Sequence, residues 1–207
     1  MRILAHIEAI LGLLLVLAAV SLVVWHKVHY HFGAVEKGRL YRSGALGRVG
    51  LWWICFRYGI RTIVCLTTER ECHSGTWYKR EEQFCRKRGI ELLHLPMQPG
   101  SVPETRQIRR FLQASLSNAR QPVLVHCKQG VARTNMMVAV YMKERFGQPN
   151  HEILQQLPSF GHQFGSSRYG KMREFILTYK TENNAGGPVS ATNCTRMVSP
   201  RVPPSEE

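Results

Sequence analysis

The segment Val123–Asn135, VLVHCKQGVARTN, carries the residue types that phosphoryl chemistry needs. An apolar run ends in His126 and Cys127, and the chain then turns through Gly130 to Arg133. Backbone N–H groups of such a loop point toward one centre, and a helix that begins behind it adds partial positive charge. Because the planar guanidinium of Arg133 can hold two phosphate oxygens at once, the segment predicts a phosphate-binding loop.

The same surroundings would turn Cys127 into a nucleophile. A thiol that faces backbone amides and an arginine has a pKa below its ordinary value of about 8.5, so it ionises at neutral pH. The hydroxyl of Thr134 is placed to donate to the sulfur and to help it leave in a second step. The alternative interpretation is an ordinary buried thiol followed by an ordinary cation at a helix start.

The string of His126 and Cys127, five further residues, then Arg133 and Thr134 resembles the signature loop of the cysteine-dependent protein tyrosine phosphatases. Within that superfamily the chain resembles the small dual-specificity branch, of the bacterial and membrane-anchored type. The stretches that carry this wider resemblance are Leu40–Gly44, Tyr58–Ile63, Gly89–Met97 and Pro122–Lys128.

The resemblance implies a two-step phosphoester hydrolysis. Cys127 attacks phosphorus to form a phosphocysteine, which water then hydrolyses, while Arg133 and the loop amides stabilise the charged oxygens. Thr134 completes the catalytic set, and the reaction requires neither a metal nor an organic cofactor. The residues expected to bind the substrate are the remaining loop positions His126, Lys128, Gln129, Gly130, Val131 and Ala132. For His126 we favour an orienting role over proton transfer.

The general acid of the family is missing from both of its usual positions. After the strand that ends near Met97, the loop Gln98–Pro103 holds no carboxylate, and Pro99 stands where an aspartate is expected. Other relatives carry an aspartate just before the arginine, where this chain has Ala132. We interpret the remaining candidates, Glu69, Glu71 and Glu104, as solvated or helix-terminal charges.

Two hypotheses about activity therefore stay open. The first is a working phosphatase that uses an unusual acid or prefers activated phosphoesters. The second is a weakly active or inactive relative that binds phosphorylated proteins or phosphoinositides. Retention of both Cys127 and Arg133 favours the enzyme, because a pure binding module does not require the thiol.

Alternating strand and helix patterns indicate the elements that position this loop. Apolar, β-branched runs predict strands at 39–43, 61–66, 91–95 and 122–126, and amphipathic or apolar segments predict helices at 46–58, 76–88, from 103, at 134–146, near 150 and at 167–180. We therefore expect an α/β fold with a mostly parallel central sheet of four to five strands flanked by helices.

Composition limits the partners and the redox setting. The formal net charge of +14 favours anionic partners, and with the phosphatase-like loop we expect a phosphorylated protein or phosphoinositide rather than nucleic acid. The six cysteines form no CxxC pair and no His/Cys cluster with zinc spacing. We interpret them as reduced thiols.

The N-terminal segment Ile3–Trp25 is the most apolar in the chain, and Ala9–Trp25 carries no charge. Its length predicts a membrane-spanning helix, with a cleaved signal peptide as the alternative. The basic residues that follow it predict a single-pass membrane protein with a cytoplasmic catalytic domain. The expected organisation is a membrane anchor at 1–30, a phosphatase-like domain at 36–180 and a disordered tail at 181–207.

Overall fold

The computed structural model describes residue 6, residues 10–17 and 19–21, and residues 29–181. Its centre is a five-stranded sheet with the order β1-β2-β5-β3-β4. Only the edge strand β1 is antiparallel to its neighbour; the other pairs are parallel. The strands are β1 (Gly33–Glu36), β2 (Leu40–Ser43), β3 (Thr62–Cys65), β4 (Glu91–His94) and β5 (Val123–His126).

The helices cover both faces of this sheet. Within residues 29–181 they are α1 (Arg48–Tyr58), α2 (Glu69–His73), α3 (Trp77–Arg88), α4 (Thr105–Ser115), α5 (Ala132–Phe146), α6 (Asn150–Gln156) and α7 (Gly170–Thr178), and a 3-10 turn lies at Ser167–Tyr169. On one face, Val64 and Val125 pack in a core with α4 to α7. On the other, Ile63 and Leu124 pack with residues of α1 and α3. Burial on both faces explains the near-continuous apolar runs of β3 and β5.

The parallel register brings the carboxyl ends of the inner strands to one edge of the sheet. Ser43 and Cys65 both stand opposite His126, and His94 stands opposite Cys65. Loops that leave this edge therefore start within one strand spacing of each other, which is where α/β folds build their sites. The loop that contains Cys127 follows the central strand β5.

The sequence-based prediction of a mostly parallel sheet of four to five strands flanked by helices is confirmed. Each predicted strand lies within one residue of its observed bounds. The short antiparallel β1 and the five-residue α2 were not predicted, because neither is long enough to show a periodic pattern. Thr68 and Glu71, which cap the start of α2 reciprocally, were its only sequence signal.

The predicted membrane anchor is wrong. Residues 10–17 and 19–21 are helical, but among the residues that the structure describes no helix is both long and apolar enough to cross a bilayer. The single-pass localisation that rested on this helix is therefore withdrawn. The predicted tail lies, apart from Thr181, outside the described residues, and the domain bounds of 36–180 stay a prediction.

Candidate active site

The loop between β5 and α5 forms around a glycine that no other residue could replace without strain. Gly130 adopts a left-handed φ of 73°, and a Cβ there would lie 2.5 Å from the backbone of Ser43 and Gly44. This close approach locks the loop onto the end of β2. It also turns the N–H of Gly130 toward Cys127, where it donates to Sγ at 3.1 Å.

Cys127 is almost fully buried at the base of this loop. Burial alone would raise the pKa of its thiol, but the positive charge of Arg133 and hydrogen bonds from Thr134 and Gly130 outweigh that effect. The pKa therefore lies below its ordinary value. A thiolate at this position is favoured by the surrounding charges and donors, as nucleophilic chemistry requires.

Arg133, in the first turn of α5, is held in place from one side. Its Nη1 donates to the carbonyl oxygens of Leu66 at 3.3 Å and Met97 at 3.1 Å. Glu71 accepts from Nη1 at 2.5 Å and from Nη2 at 2.9 Å. These contacts use three of the five guanidinium N–H groups, and they leave the edge formed by Nε and the second Nη2 hydrogen for an anion.

Glu71 was interpreted from the sequence as a solvated carboxylate, and that interpretation is wrong. Its side chain is only 18% exposed and forms the bidentate ion pair with Arg133. Burial alone would raise its pKa, yet the hydrogen bonds from Arg133 and Thr68 hold the pKa at about 2. Glu71 is therefore ionised at neutral pH and acts as a fixed anchor for the arginine.

Arg42 is a second buried arginine that the sequence analysis did not assign to the site. It donates to Asn135 Oδ1 and to the carbonyl oxygen of Gly130, and its guanidinium lies 4.9 Å from the ring centroid of Phe160. Burial lowers its pKa to about 10, although the nearby Cys127 opposes the shift. Arg42 thus fixes the loop from below and adds positive charge beneath the cysteine.

His126 points away from the loop and into the protein. Its Nε2 lies 3.3 Å from Glu81 Oε1, and both side chains are buried. Burial alone would lower the pKa of His126, but the charge of Glu81 raises it. His126 does not line the cavity in front of Cys127, so its position is compatible with an orienting role.

A cavity of about 330 Å³ opens in front of Cys127. Of the predicted site residues, it is lined by Cys127, Lys128, Gln129, Ala132 and Arg133, whereas Gly130, Val131 and Thr134 are buried and do not line it. Two further cations that the sequence analysis did not assign, Arg168 and Lys171, reach the cavity from the segment around the start of α7. The cavity therefore offers one nucleophile and several positive charges.

The cavity has no carboxylic acid free to donate a proton. Glu71 is its only carboxylate among the described residues, and it is committed to Arg133. Pro99 and Ala132, at the two positions where the resemblance led us to expect an aspartate, line the cavity. Glu104, another of the candidates from the sequence, instead caps the start of α4 and does not line the cavity.

Comparison with known proteins gives one family match. A family model described as a DSP-PTPase phosphatase fused to NAD+ kinase matches residues 18–168. The chain is 28% identical over 99 residues to the probable NAD kinase 2, chloroplastic, of Oryza sativa, and 30% identical over 118 residues to the inositol diphosphatase DSP1 of the same plant. These alignments cover 48% and 55% of this chain, but only 10% and 49% of the two plant proteins.

The fold is also similar to solved structures. The core catalytic domain of the PP-IP phosphatase SIW14 from S. cerevisiae has a TM-score of 0.60 at 20% identity, over 73% of this chain and 86% of that one. PTPMT1 has a TM-score of 0.53 at 19% identity, over 70% and 93%. At these identities the likeness concerns the fold alone. The matches give no support to the bacterial and membrane-anchored type expected from the sequence.

Proposed function

Since the chain belongs to the family of DSP-PTPase phosphatases fused to NAD+ kinase, we propose that it is a cysteine-dependent phosphatase whose preferred substrate carries a phosphoanhydride bond, as in a diphosphoinositol phosphate. The family membership supports a phosphatase of the dual-specificity type. The contents of the cavity support the narrower choice of bond. The single observation that carries it is a thiolate site rich in cations that lacks an available general acid.

In the proposed first step, Cys127 Sγ attacks the terminal phosphorus and the bond from that phosphorus to the bridging oxygen breaks. The electron pair of that bond leaves with the departing phosphate, and a phosphocysteine remains. The free edge of Arg133 and the loop amides stabilise charge on the three outer oxygens. Glu71 keeps that edge aimed at the sulfur, because it restrains the opposite edge of the guanidinium.

In the second step, water attacks the phosphocysteine, the sulfur–phosphorus bond breaks, and inorganic phosphate is released with the protons of the attacking water. The electron pair returns to the sulfur. The same groups that lower the pKa of the Cys127 thiol, Arg133, Thr134 and Gly130, make that thiolate a better leaving group. The thiolate that attacks in the first step and leaves in the second is therefore stabilised without a carboxylate.

The leaving group explains how such a site could work without an acid. Loss of general-acid catalysis costs about 10²–10⁴ in rate when the leaving oxygen must be protonated. A departing phosphate has a second pKa of about 6, so it leaves as a stable anion without a proton. An alkoxide from serine or from an inositol ring has no such stability. The missing acid therefore selects against alkyl monoesters and not against anhydrides.

The charge of the cavity fits the same substrate class. Lys128, Arg168 and Lys171 surround the loop at the rim, beyond what one phosphate monoester would need. A polyphosphorylated ring presents several phosphates to these cations. Two proteins similar to this chain carry names of that chemistry, the rice inositol diphosphatase and the yeast PP-IP phosphatase.

The proposal is tested by comparing kcat/KM of the full chain on matched substrates. We expect a diphosphoinositol phosphate to be cleaved at least about 10² faster than the same inositol phosphate without the terminal phosphate, and faster than phosphoserine peptides. Cys127→Ser should abolish turnover. Equal rates on the diphosphate and the monoester would contradict the choice of bond, and turnover by Cys127→Ser would contradict the nucleophile.

A further inference from the structure

We propose that Cys65, Cys72 and His94 form a zinc-binding site next to, but separate from, the active-site cavity. Cys65 ends β3 and His94 ends β4, and the two residues are partners in the sheet register. Cys72 lies on α2, which folds over the same edge. The two sulfurs and one imidazole nitrogen all lie within 4.8 Å of one another.

The distances match those of a zinc site. Cys72 Sγ lies 3.7 Å from His94 Nε2. Around tetrahedral zinc, with Zn–S near 2.3 Å and Zn–N near 2.05 Å, a sulfur and a nitrogen ligand stand about 3.6 Å apart. The hydroxyl of Thr67 lies 2.9 Å from Cys65 Sγ and 3.2 Å from Cys72 Sγ, so one short side chain holds both sulfurs on the same side.

Binding would exchange protons for the ion. The two thiols release their protons as they coordinate, and His94 ligates through Nε2 with its proton on Nδ1. Before binding, Nε2 carries the proton and donates it to the carbonyl oxygen of Thr67 at 2.6 Å; on binding, that proton leaves Nε2 while Nδ1 gains one, and the hydrogen bond to Thr67 is lost. Three protein ligands leave one coordination position for water, as in open zinc sites.

The surroundings supply negative charge for a cation. Glu81 is buried, its ligand oxygen lies within 4.8 Å of Cys65 Sγ, and its Oε2 has no hydrogen-bonding partner within the described part of the chain. Its Oε1 faces the buried His126. Glu81 therefore adds buried negative charge next to Cys65 beyond what its contact with His126 uses, and negative charge at this position favours a cation at the three ligands. Zinc would be that cation.

The site would connect to the catalytic arginine through one residue. Cys72 directly follows Glu71, the anchor of Arg133. Coordination of Cys72 would fix α2 against β3 and β4 and so stabilise the Glu71–Arg133 ion pair. The ligands stand on three different elements, which is why the sequence shows no recognisable zinc spacing.

The test measures zinc binding in full-length Cys127→Ser protein, so that the active-site thiolate cannot coordinate the ion. Titration against a chromophoric chelator should show one zinc per chain. Cys72→Ser should weaken zinc binding by at least about 100-fold, and His94→Gln by about 10- to 100-fold. Cys85→Ser removes a buried thiol outside the cluster and serves as the matched control. Cobalt substitution should give a thiolate-to-metal charge-transfer band that Cys72→Ser removes.

Because Cys72 is buried and its variant could misfold, the half-buried His94→Gln provides an independent check that leaves both thiols in place. Unchanged zinc affinity in His94→Gln, or the absence of one bound zinc per chain, would overturn the proposal. So would mass spectrometry of the protein as isolated, with its free thiols alkylated and no reductant added, that finds a Cys65–Cys72 disulfide in place of bound metal. The proposal would also be overturned if Cys72→Ser and His94→Gln lost no more zinc affinity than Cys85→Ser does.

Discussion

Replacement of Glu71 by Gln tests how strongly the ion pair with Arg133 stabilises the fold. Burial alone would raise the pKa of Glu71, but the donors from Arg133 and Thr68 hold it at about 2 instead of 4.5. That gap corresponds to roughly 3 kcal/mol at about 1.36 kcal/mol per pKa unit. Because the side chain is 18% exposed and partly screened by water, we expect about 1–2 kcal/mol. Gln can still cap α2, so the substitution removes the negative charge and one of the two acceptors for Arg133.

The contribution of Glu71 should depend on pH in one direction. Its pKa is lower in the folded protein, so the stabilisation is complete above about pH 4.5 and disappears as the pH falls toward about 2. Urea unfolding at about pH 7 and pH 3.5 should show that Glu71→Gln lowers the free energy of unfolding and that the difference narrows in acid. Glu69→Gln, an exposed change on the same helix, is the matched control. A Glu71→Gln effect no larger than that of Glu69→Gln at pH 7, or one that does not narrow, would refute the reasoning.

Three further changes probe the cavity by steady-state phosphate release. Lys171→Ala should lower kcat/KM for a diphosphate about tenfold, because one charge-assisted contact is lost. The control Lys79→Ala removes an exposed lysine on α3 and should leave kcat/KM unchanged. Equal effects of the two changes would exclude Lys171 from substrate binding. Gly130→Ala should reduce turnover by at least about 10², because its Cβ meets the backbone of Gly44 at 2.5 Å; near-normal turnover would show that the loop is not so constrained. Ala132→Asp should raise the rate of alkyl monoester hydrolysis by about 10- to 100-fold and change the rate of diphosphate hydrolysis by no more than about twofold. An equal rate gain on the two substrates would show that anhydride cleavage also needs an acid.

The sheet could be predicted because its strands obey local rules. Val123–His126 and Thr62–Cys65 are buried on both faces, so their apolar, β-branched character is visible without any partner. The spacing from Cys127 to Arg133 is a local motif. The residues on either side of it already indicated a strand before the loop and a helix after it. Such features are local, and the sequence expresses them directly.

The supports of the loop are not local, and the sequence did not reveal them. Glu71 meets Arg133 across 62 positions, and Arg42 meets Asn135 across 93. Neither contact leaves a pattern, because each depends on the parallel register that brings strand ends to one edge. Of the three proposed zinc ligands, Cys65 and His94 are brought together by the same register.

The N-terminal segment was mispredicted for a different reason. Its number of consecutive apolar residues satisfied the rule for a membrane helix, and that rule uses composition alone. Among the described residues, no helix there reaches the required length.

The central claim is that a sulfur anion at Cys127 and the guanidinium of Arg133 share one bound oxyanion, and the pH dependence of Cys127 alkylation tests it most directly. The rate of iodoacetamide labelling of the full chain, assigned to Cys127 by peptide mass, should rise with an inflection below that of an ordinary thiol, which titrates at about pH 8.5, because the site lowers the pKa of Cys127. Inorganic phosphate should protect Cys127, and Arg133→Ala should both raise the inflection and remove the protection. Labelling that begins only above about pH 8 and is indifferent to phosphate would contradict the account.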